Sequence, residues 1–271
     1  GLTNGVLDAL FVAVFSWGLE GAAAATGIGQ CVGGILPLFY FARPNTSLLR
    51  FTKAEFDRKS MLRICVNGSS ELMSNISSSV ISMLYNVQLL RYAGEDGVAA
   101  YGVLMYVNFI FLASYIGFSV GTSPVIGYHY GAGDYGELKS LLKKSLIMIT
   151  VFAALMFGAS RFLAKPLSMI FVGYDPELLE TTLHAFSIYA YSFLFAGFAI
   201  FGSGFFTALN DGLTSALISS LRTLVFQVSA VLLLPLIWKL DGIWFSIVAA
   251  ELMAVLVAAA FLVGKRKKYY Y

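Results

Sequence analysis

The chain has 271 residues, of which 58% are hydrophobic and 12% charged, with a formal net charge of +3. An ordinary soluble domain is about 25% charged, so this composition excludes a water-exposed globular surface and points to an integral membrane protein. The small positive excess sits in a few connecting segments, which serves topology and gives nucleic-acid binding no support.

A bilayer core about 30 Å thick needs about 20 mainly apolar residues per helix. Such stretches recur at about residues 2–17, 21–42, 62–90, 98–120, 141–163, 184–208, 216–238 and 243–263. The expected fold is therefore an all-α integral membrane protein of about eight transmembrane helices. Ile147 to Ala159 and Val248 to Val263 are continuously apolar, where a barrel strand would alternate. Residues 1–17 lack a basic leading region and a small-residue cleavage site, so they read as a helix and not as a signal peptide. Cys31 and Cys65 fall inside spans without disulfide or zinc-ligand spacing, and read as packing residues.

Alternating the connections across the membrane separates the charges. Arg43, Arg50, Lys53, Arg58, Lys59, Arg63, Lys139, Lys143, Lys144, Arg222 and the Lys265–Lys268 run fall on one side. Arg91, Arg161, Lys165 and Lys239 remain on the other, with Glu95, Asp96, Asp175, Glu177 and Glu180. The positive-inside rule makes the richer side cytoplasmic, and with it the C-terminal segment. Glycine-rich Gly127 to Asp134 lacks the Lys-Ser/Thr ending of a phosphate-binding loop and reads as a tight turn on that side.

The chain also repeats itself. Gly18-Leu19-Glu20-Gly21 returns as Lys239-Leu240-Asp241-Gly242, each an acidic turn leading into an apolar helix. At the same offset Gln30 falls on Glu251, so both copies place a polar side chain in mid-helix. The copies lie six helices apart, which predicts parallel, pseudo-twofold six-helix repeats. On that scheme residues 1–43 are the last two helices of a first lobe, 44–60 a polar cytoplasmic linker opened by Pro44, and 61–271 a complete second lobe. A symmetric protein would then carry four more helices before Gly1.

Three acids fall within spans, Asp8, Glu71 and Glu251, and an intramembrane ionisable group is a functional-site candidate. Asn4 and Asp8 are spaced i, i+4, so an amide oxygen and a carboxylate share one helix face that suits a hard cation such as Na+. Asn67, Glu71, Ser74, Asn75 and Ser78 share another face, as a wall of an aqueous cavity would; serine-mediated helix packing is the plainer reading. Arg63 and Arg222 are candidate counter-ions for Glu71.

Other chemistry finds less support. His129 and His184 flank spans without metal-ligand neighbours. Pro37, Pro124 and Pro235 fall in or beside spans and suit bent helices. Tyr85, Tyr106, Tyr115, Tyr189 and Tyr191 suit either a pocket for aromatic cations or interfacial belts. No H-E-x-x-H pair or similar motif supports a membrane-embedded enzyme.

Several segments together resemble the multidrug and toxic compound extrusion family: Asn4-Gly5-Val6-Leu7-Asp8, Gly21-Ala22-Ala23-Ala24-Ala25-Thr26 and Gly121 to Asp134. Thr207 to Gly212, Leu234-Pro235-Leu236-Ile237 and Leu240-Asp241-Gly242-Ile243-Trp244 extend the resemblance over essentially the whole chain. It implies two six-helix lobes around a cavity, alternating access, and export of amphipathic, often cationic compounds against entering Na+ or H+. It also implies a first-lobe cation site, onto which Asp8, Asn4 and Thr26 match, together with an aspartate on a first helix that this chain does not include. Glu71 lies nearer its helix start than the second-lobe glutamate of some members. Gln30 and Glu251 join the expected solute path on the residue reading alone.

No resident cofactor is expected, and the coupling ion is the transported counter-substrate. The expected location is a plasma membrane, bacterial inner membrane in type. A flippase of lipids or lipid-linked oligosaccharides from the same superfamily is the alternative; such flippases display several cavity arginines, whereas here only Arg63 and Arg222 lie near spans.

Overall fold

The computed structural model describes residues 2–43 and 57–271, and the side chains of all of these except Ser70 and Glu71. The linker expected at 44–60 therefore lies largely outside the described residues. Every regular element among them is helical. By contact the chain divides into two compact units, Gly1–Asp57 and Arg58–Tyr271.

The first unit holds α1 (Leu2–Val14) and α2 (Gly18–Ala42). Residues 9–14 of α1 widen into a π-helical turn directly after Asp8. The reversal uses positive φ at Ser16 (54°) and Gly18 (55°). The two helices then pack closely: a Cβ at Gly21 would lie 2.9 Å from Trp17 Cβ, and one at Gly29 would lie 3.0 Å from Asn4 Cβ.

The second unit contains six helices. The run Arg58–Gly131 is broken at Gly94 (φ 65°, ψ −152°), giving α3 (58–93) and α4 (95–131). After α5 (Tyr135–Val172) and α6 (Pro176–Ala208), the run Gly212–Tyr269 breaks at Lys239 (φ 50°, ψ −125°) into α7 (212–238) and α8 (240–269). With α1 and α2 the described helices number eight. Taken as continuous runs, with α3–α4 and α7–α8 each counted once across its break, five among the described residues are long and apolar enough to cross a membrane by length and composition.

Short acid-capped turns start three of these helices. The carboxylates of Asp134, Asp175 and Asp211 accept hydrogen bonds from the N–H groups of Glu137 (3.1 Å), Glu177 (3.0 Å) and Thr214 (3.3 Å) respectively. Each satisfies an otherwise orphaned first-turn donor and favours the positive end of the helix dipole. Pro176 occupies the first turn of α6, where its missing N–H removes no hydrogen bond.

Inside the bundle, small residues let backbones approach. A Cβ at Gly197 would meet the Tyr115 ring at 2.5 Å, one at Gly202 would lie 3.0 Å from Ala258 Cβ, and Gly204 faces the Ser119 hydroxyl. Tyr115 thus lies flat on α6 and donates its hydroxyl to the Phe193 carbonyl at 2.8 Å. This is the small-residue packing expected where lipid removes the hydrophobic drive between helices. Two apolar clusters flank the middle of the unit, one around Leu89, Leu104, Phe186, Phe193 and Trp244, the other around Ile126, Leu138, Phe201, Phe205 and Ile218. Phe109, Phe162, Leu236 and Ile237 point outward and are highly exposed, a distribution that requires an apolar solvent around the protein.

Candidate functional site

Between the two apolar clusters lies a cavity of about 420 Å³ within the second unit, lined from α3, α4, α6, α7 and α8. That volume is in the range of drug-sized sites, about 300–1,000 Å³. Among aliphatic neighbours such as Ile81, Met105 and Ile247, its walls carry hydroxyl and amide groups: Ser74, Asn75 and Ser78 from α3, Asn108 from α4, Ser203 and Thr207 from α6. The serine stripe of α3 thus faces the cavity from residue 74 onward, while Asn67 is not among the lining residues. Asn67 instead carries a buried Oδ1 without a hydrogen-bond partner, near the start of α3. The Glu71 side chain lies outside what is described.

Glu251 projects into this cavity from α8 and is buried. Its partner is Arg222. Nε donates to Oε1 at 3.0 Å and to Oε2 at 2.9 Å, and Nη2 donates to Oε1 at 2.7 Å. Arg222, one of the two candidate counter-ions for Glu71 in the sequence, has its fork engaged by Glu251. Arg222 lies in a π-helical turn over Leu221–Gln227 in α7, and Arg222, Thr223 and Gln227 of that turn all line the cavity wall.

Aromatic groups complete the wall. Tyr85 and Tyr101 stack in parallel, with ring centroids 5.1 Å apart and an interplanar angle of 2°. The Tyr85 hydroxyl meets Ser246 Oγ at 2.6 Å. Tyr189 also lines the cavity, whereas Tyr106 and Tyr191 are exposed on the outside. Between α6 and α7 runs a hydroxyl ladder in which Ser203 meets Ser215 (2.9 Å) and Ser219 (2.8 Å), and Thr207 meets Ser215 (2.6 Å).

In the first unit, Asn4 Nδ2 donates to Thr26 Oγ1 at 3.3 Å, joining α1 to α2. Asp8 lies one turn further along α1, partly buried, and its Oδ1 has no hydrogen-bond partner. Gln30, one turn beyond Thr26, is exposed. An oxygen-rich corner with an unsatisfied carboxylate oxygen has the donor chemistry of a hard-cation site.

A third polar cluster joins the α6–α7 turn to the end of α8. Asp211 Oδ2 accepts from Lys265 Nζ (2.7 Å), the Tyr269 hydroxyl (2.7 Å) and the Thr214 hydroxyl (2.8 Å). Burial alone would raise the Asp211 carboxyl, but these donors outweigh it and hold the group well below the usual carboxylate range. Burial, then the bond to Asp211, pushes the Tyr269 hydroxyl up. Tyr269 and Tyr271 are buried, so the basic C-terminal segment is docked and not a free tail. The two histidines each meet an acid: His184 Nε2 lies 2.7 Å from Asp241, and His129 Nδ1 lies 3.4 Å from Asp134.

Comparison with known proteins agrees with this architecture. The multidrug export protein MepA of Staphylococcus haemolyticus is 22% identical over 98% of the chain and 58% of its own length. MepA of Staphylococcus saprophyticus is 23% identical over 94% of the chain and 56% of its own. An outward-facing multidrug resistance MATE family transporter superposes with a TM-score of 0.87 at 21% identity, over 99% of the chain and 60% of that structure. A MOP superfamily transporter from Pyrococcus furiosus gives a TM-score of 0.88 at 21% identity and the same coverage. At that identity the likeness is one of fold. The chain thus spans less than two thirds of the length of these relatives. The MatE family profile matches residues 72–232, more than half of the chain. This chain belongs to the MatE family of multidrug and toxic compound extrusion proteins.

Proposed function

We propose that the protein is a secondary active exporter of amphipathic organic compounds, cations among them, driven by entry of Na+ or H+. The observation that carries this reading is the cavity itself: an amphipathic chamber of about 420 Å³, with apolar walls, hydroxyl and amide groups and a buried charge pair, inside helices whose outer faces require lipid. Buried ionisable groups in a membrane are expensive and persist where they serve a path. Multidrug export by the similar MepA proteins supports the same class of activity.

In this reading Asp8 holds the coupling ion, with Asn4 and Thr26 supplying neutral oxygens. A carboxylate oxygen without a hydrogen-bond partner is available to a proton or a sodium ion, and release of that ion resets the site. Ser74, Asn75, Ser78 and Glu251 border the solute path. The bilayer is a plasma membrane, and the Lys265–Lys268 end faces the cytoplasm by the positive-inside rule. The flippase alternative is less favoured because Arg222, the arginine that lines the cavity, is neutralised by Glu251.

The test is efflux from cells containing the full-length protein. Accumulation of tetraphenylphosphonium should fall on expression and recover when the Na+ and proton gradients are collapsed by ionophores. Efflux that survives collapse of both gradients overturns the reading.

A further inference from the structure

Among the described lining residues of the cavity, Arg222 and Glu251 alone carry charge, and they carry it against each other. Three hydrogen bonds occupy both oxygens of the carboxylate, whose side chain is only 3% exposed. A guest with a single positive charge that sought Glu251 would have to displace a planar, bidentate, permanently tethered guanidinium. It would also leave Arg222 unpaired in a low-dielectric wall, which is strongly unfavourable. The remaining groups offer dipoles and ring faces: Ser78, Asn108, Ser203, Gln227 and the Tyr85–Tyr101 stack.

We infer that Arg222 is the charge-selecting residue of this cavity: it keeps Glu251 from anchoring an organic monocation, so that guests are held through ring faces and hydrogen-bonding groups and not through a full ion pair with that carboxylate. Arg222 acts as an internal cation already seated on Glu251, which among the described lining residues is the carboxylate that a cationic guest would seek. Arg222 stands on the wall beside Thr223 and Gln227, within the π-helical turn over Leu221–Gln227. Cations that the protein exports would then rest on ring faces or other surfaces, not on Glu251. The inference rests on the cavity being the solute chamber of the proposed exporter.

The experiment measures equilibrium binding to the full-length protein, with no ion gradient, for tetraphenylphosphonium as monocation and chloramphenicol as uncharged probe. It is run at about pH 9, far above the ordinary carboxylate range. Arg222→Gln should tighten tetraphenylphosphonium by about tenfold or more, the effect of exposing one carboxylate in a medium of intermediate dielectric. Chloramphenicol should change by less than about twofold. The double variant Arg222→Gln with Glu251→Gln should lose the gain, which locates it at the carboxylate. If Arg222→Gln is folded, by its thermal unfolding, and binds tetraphenylphosphonium no tighter, the inference is overturned. Should Arg222→Gln fail to fold, Arg222→Lys, which cannot make the bidentate bond, should give a smaller tightening, and none there overturns the inference equally. Ion-driven efflux separates the two readings: lost efflux with the selectivity change intact sinks the exporter alone, and intact efflux without that change sinks charge selection alone.

Discussion

Gly18 and Lys239 stand 221 positions apart and adopt the same unusual backbone sense at the start of an apolar helix, with φ of 55° and 50°. In both copies the residue three positions on is a glycine pressed against the preceding helix. A Cβ at Gly21 would lie 3.1 Å from Phe11 Cβ, and one at Gly242 would collide with the Leu234 carbonyl oxygen. The four-residue repeat in the sequence is therefore a repeat of local geometry. Only the second copy departs from glycine at the first position, and Lys239 bears the cost of a left-handed φ. Lys239→Gly is predicted to raise stability by about 1 kcal/mol, read as a higher midpoint of thermal unfolding. An unchanged or lower midpoint would mean that the lysine side chain offsets the strain.

Helix contact at Gly197 makes a second prediction. Gly197→Ala puts a methyl into the Tyr115 ring, where the Cβ would stand at 2.5 Å, and should destabilise by about 1–3 kcal/mol. Gly102→Ala is the control, because nothing lies within 4 Å of its Cβ. There the gain in helix propensity should appear, up to about 1 kcal/mol of stabilisation. Opposite signs in the two thermal melts are the expected result.

The Asp211 cluster gives a pH dependence of known sign. Asp211 titrates lower in the folded state, so its contribution is present above the ordinary carboxylate range and is lost only as pH falls into strong acid. Tyr269 titrates higher when folded, so its contribution is complete below about pH 10 and declines as pH rises beyond it. Asp211→Asn should cost about 2 kcal/mol at neutral pH, since it removes a charge-assisted acceptor from Lys265 and Tyr269. Tyr269→Phe should flatten the alkaline decline in a pH series of unfolding midpoints, and an unaltered decline would assign it elsewhere.

Much of the architecture was legible because lipid imposes a simple rule: every spanning segment must be long and apolar. The eight expected segments correspond to α1 through α8. Their ends were less legible. The helices α3, α5 and α6 start at Arg58, Tyr135 and Pro176, several residues ahead of the apolar runs, because polar turns such as Glu137-Leu138-Lys139 extend each helix beyond the hydrocarbon. Glu95 and Asp96 read as a loop, yet a single glycine suffices: the chain bends at Gly94 and resumes helix at once.

The site was legible by residue type and illegible by partner. Glu251 stood out as a mid-helix acid, and Ser74, Asn75 and Ser78 as a polar stripe. That Arg222 reaches Glu251, 29 residues on, is a tertiary pairing between α7 and α8, and the π-helical turn in which Arg222 lies leaves no mark in a 3.6-residue periodicity. The docking of Tyr269 and Tyr271 was hidden for a related reason: a Lys-Arg-rich end reads as solvated, while its tyrosines are held by contacts from α6 and by Asp211.

The account centres on Asp8 as the ion-coupling group, and the most direct measurement is solute-stimulated ion flux in liposomes containing the full-length protein. Addition of tetraphenylphosphonium should elicit Na+ or H+ movement through the parent protein. Asp8→Asn, which keeps the shape of the side chain and removes its charge, should abolish that flux while binding of the solute persists. Solute-stimulated flux of undiminished size through Asp8→Asn would contradict the account.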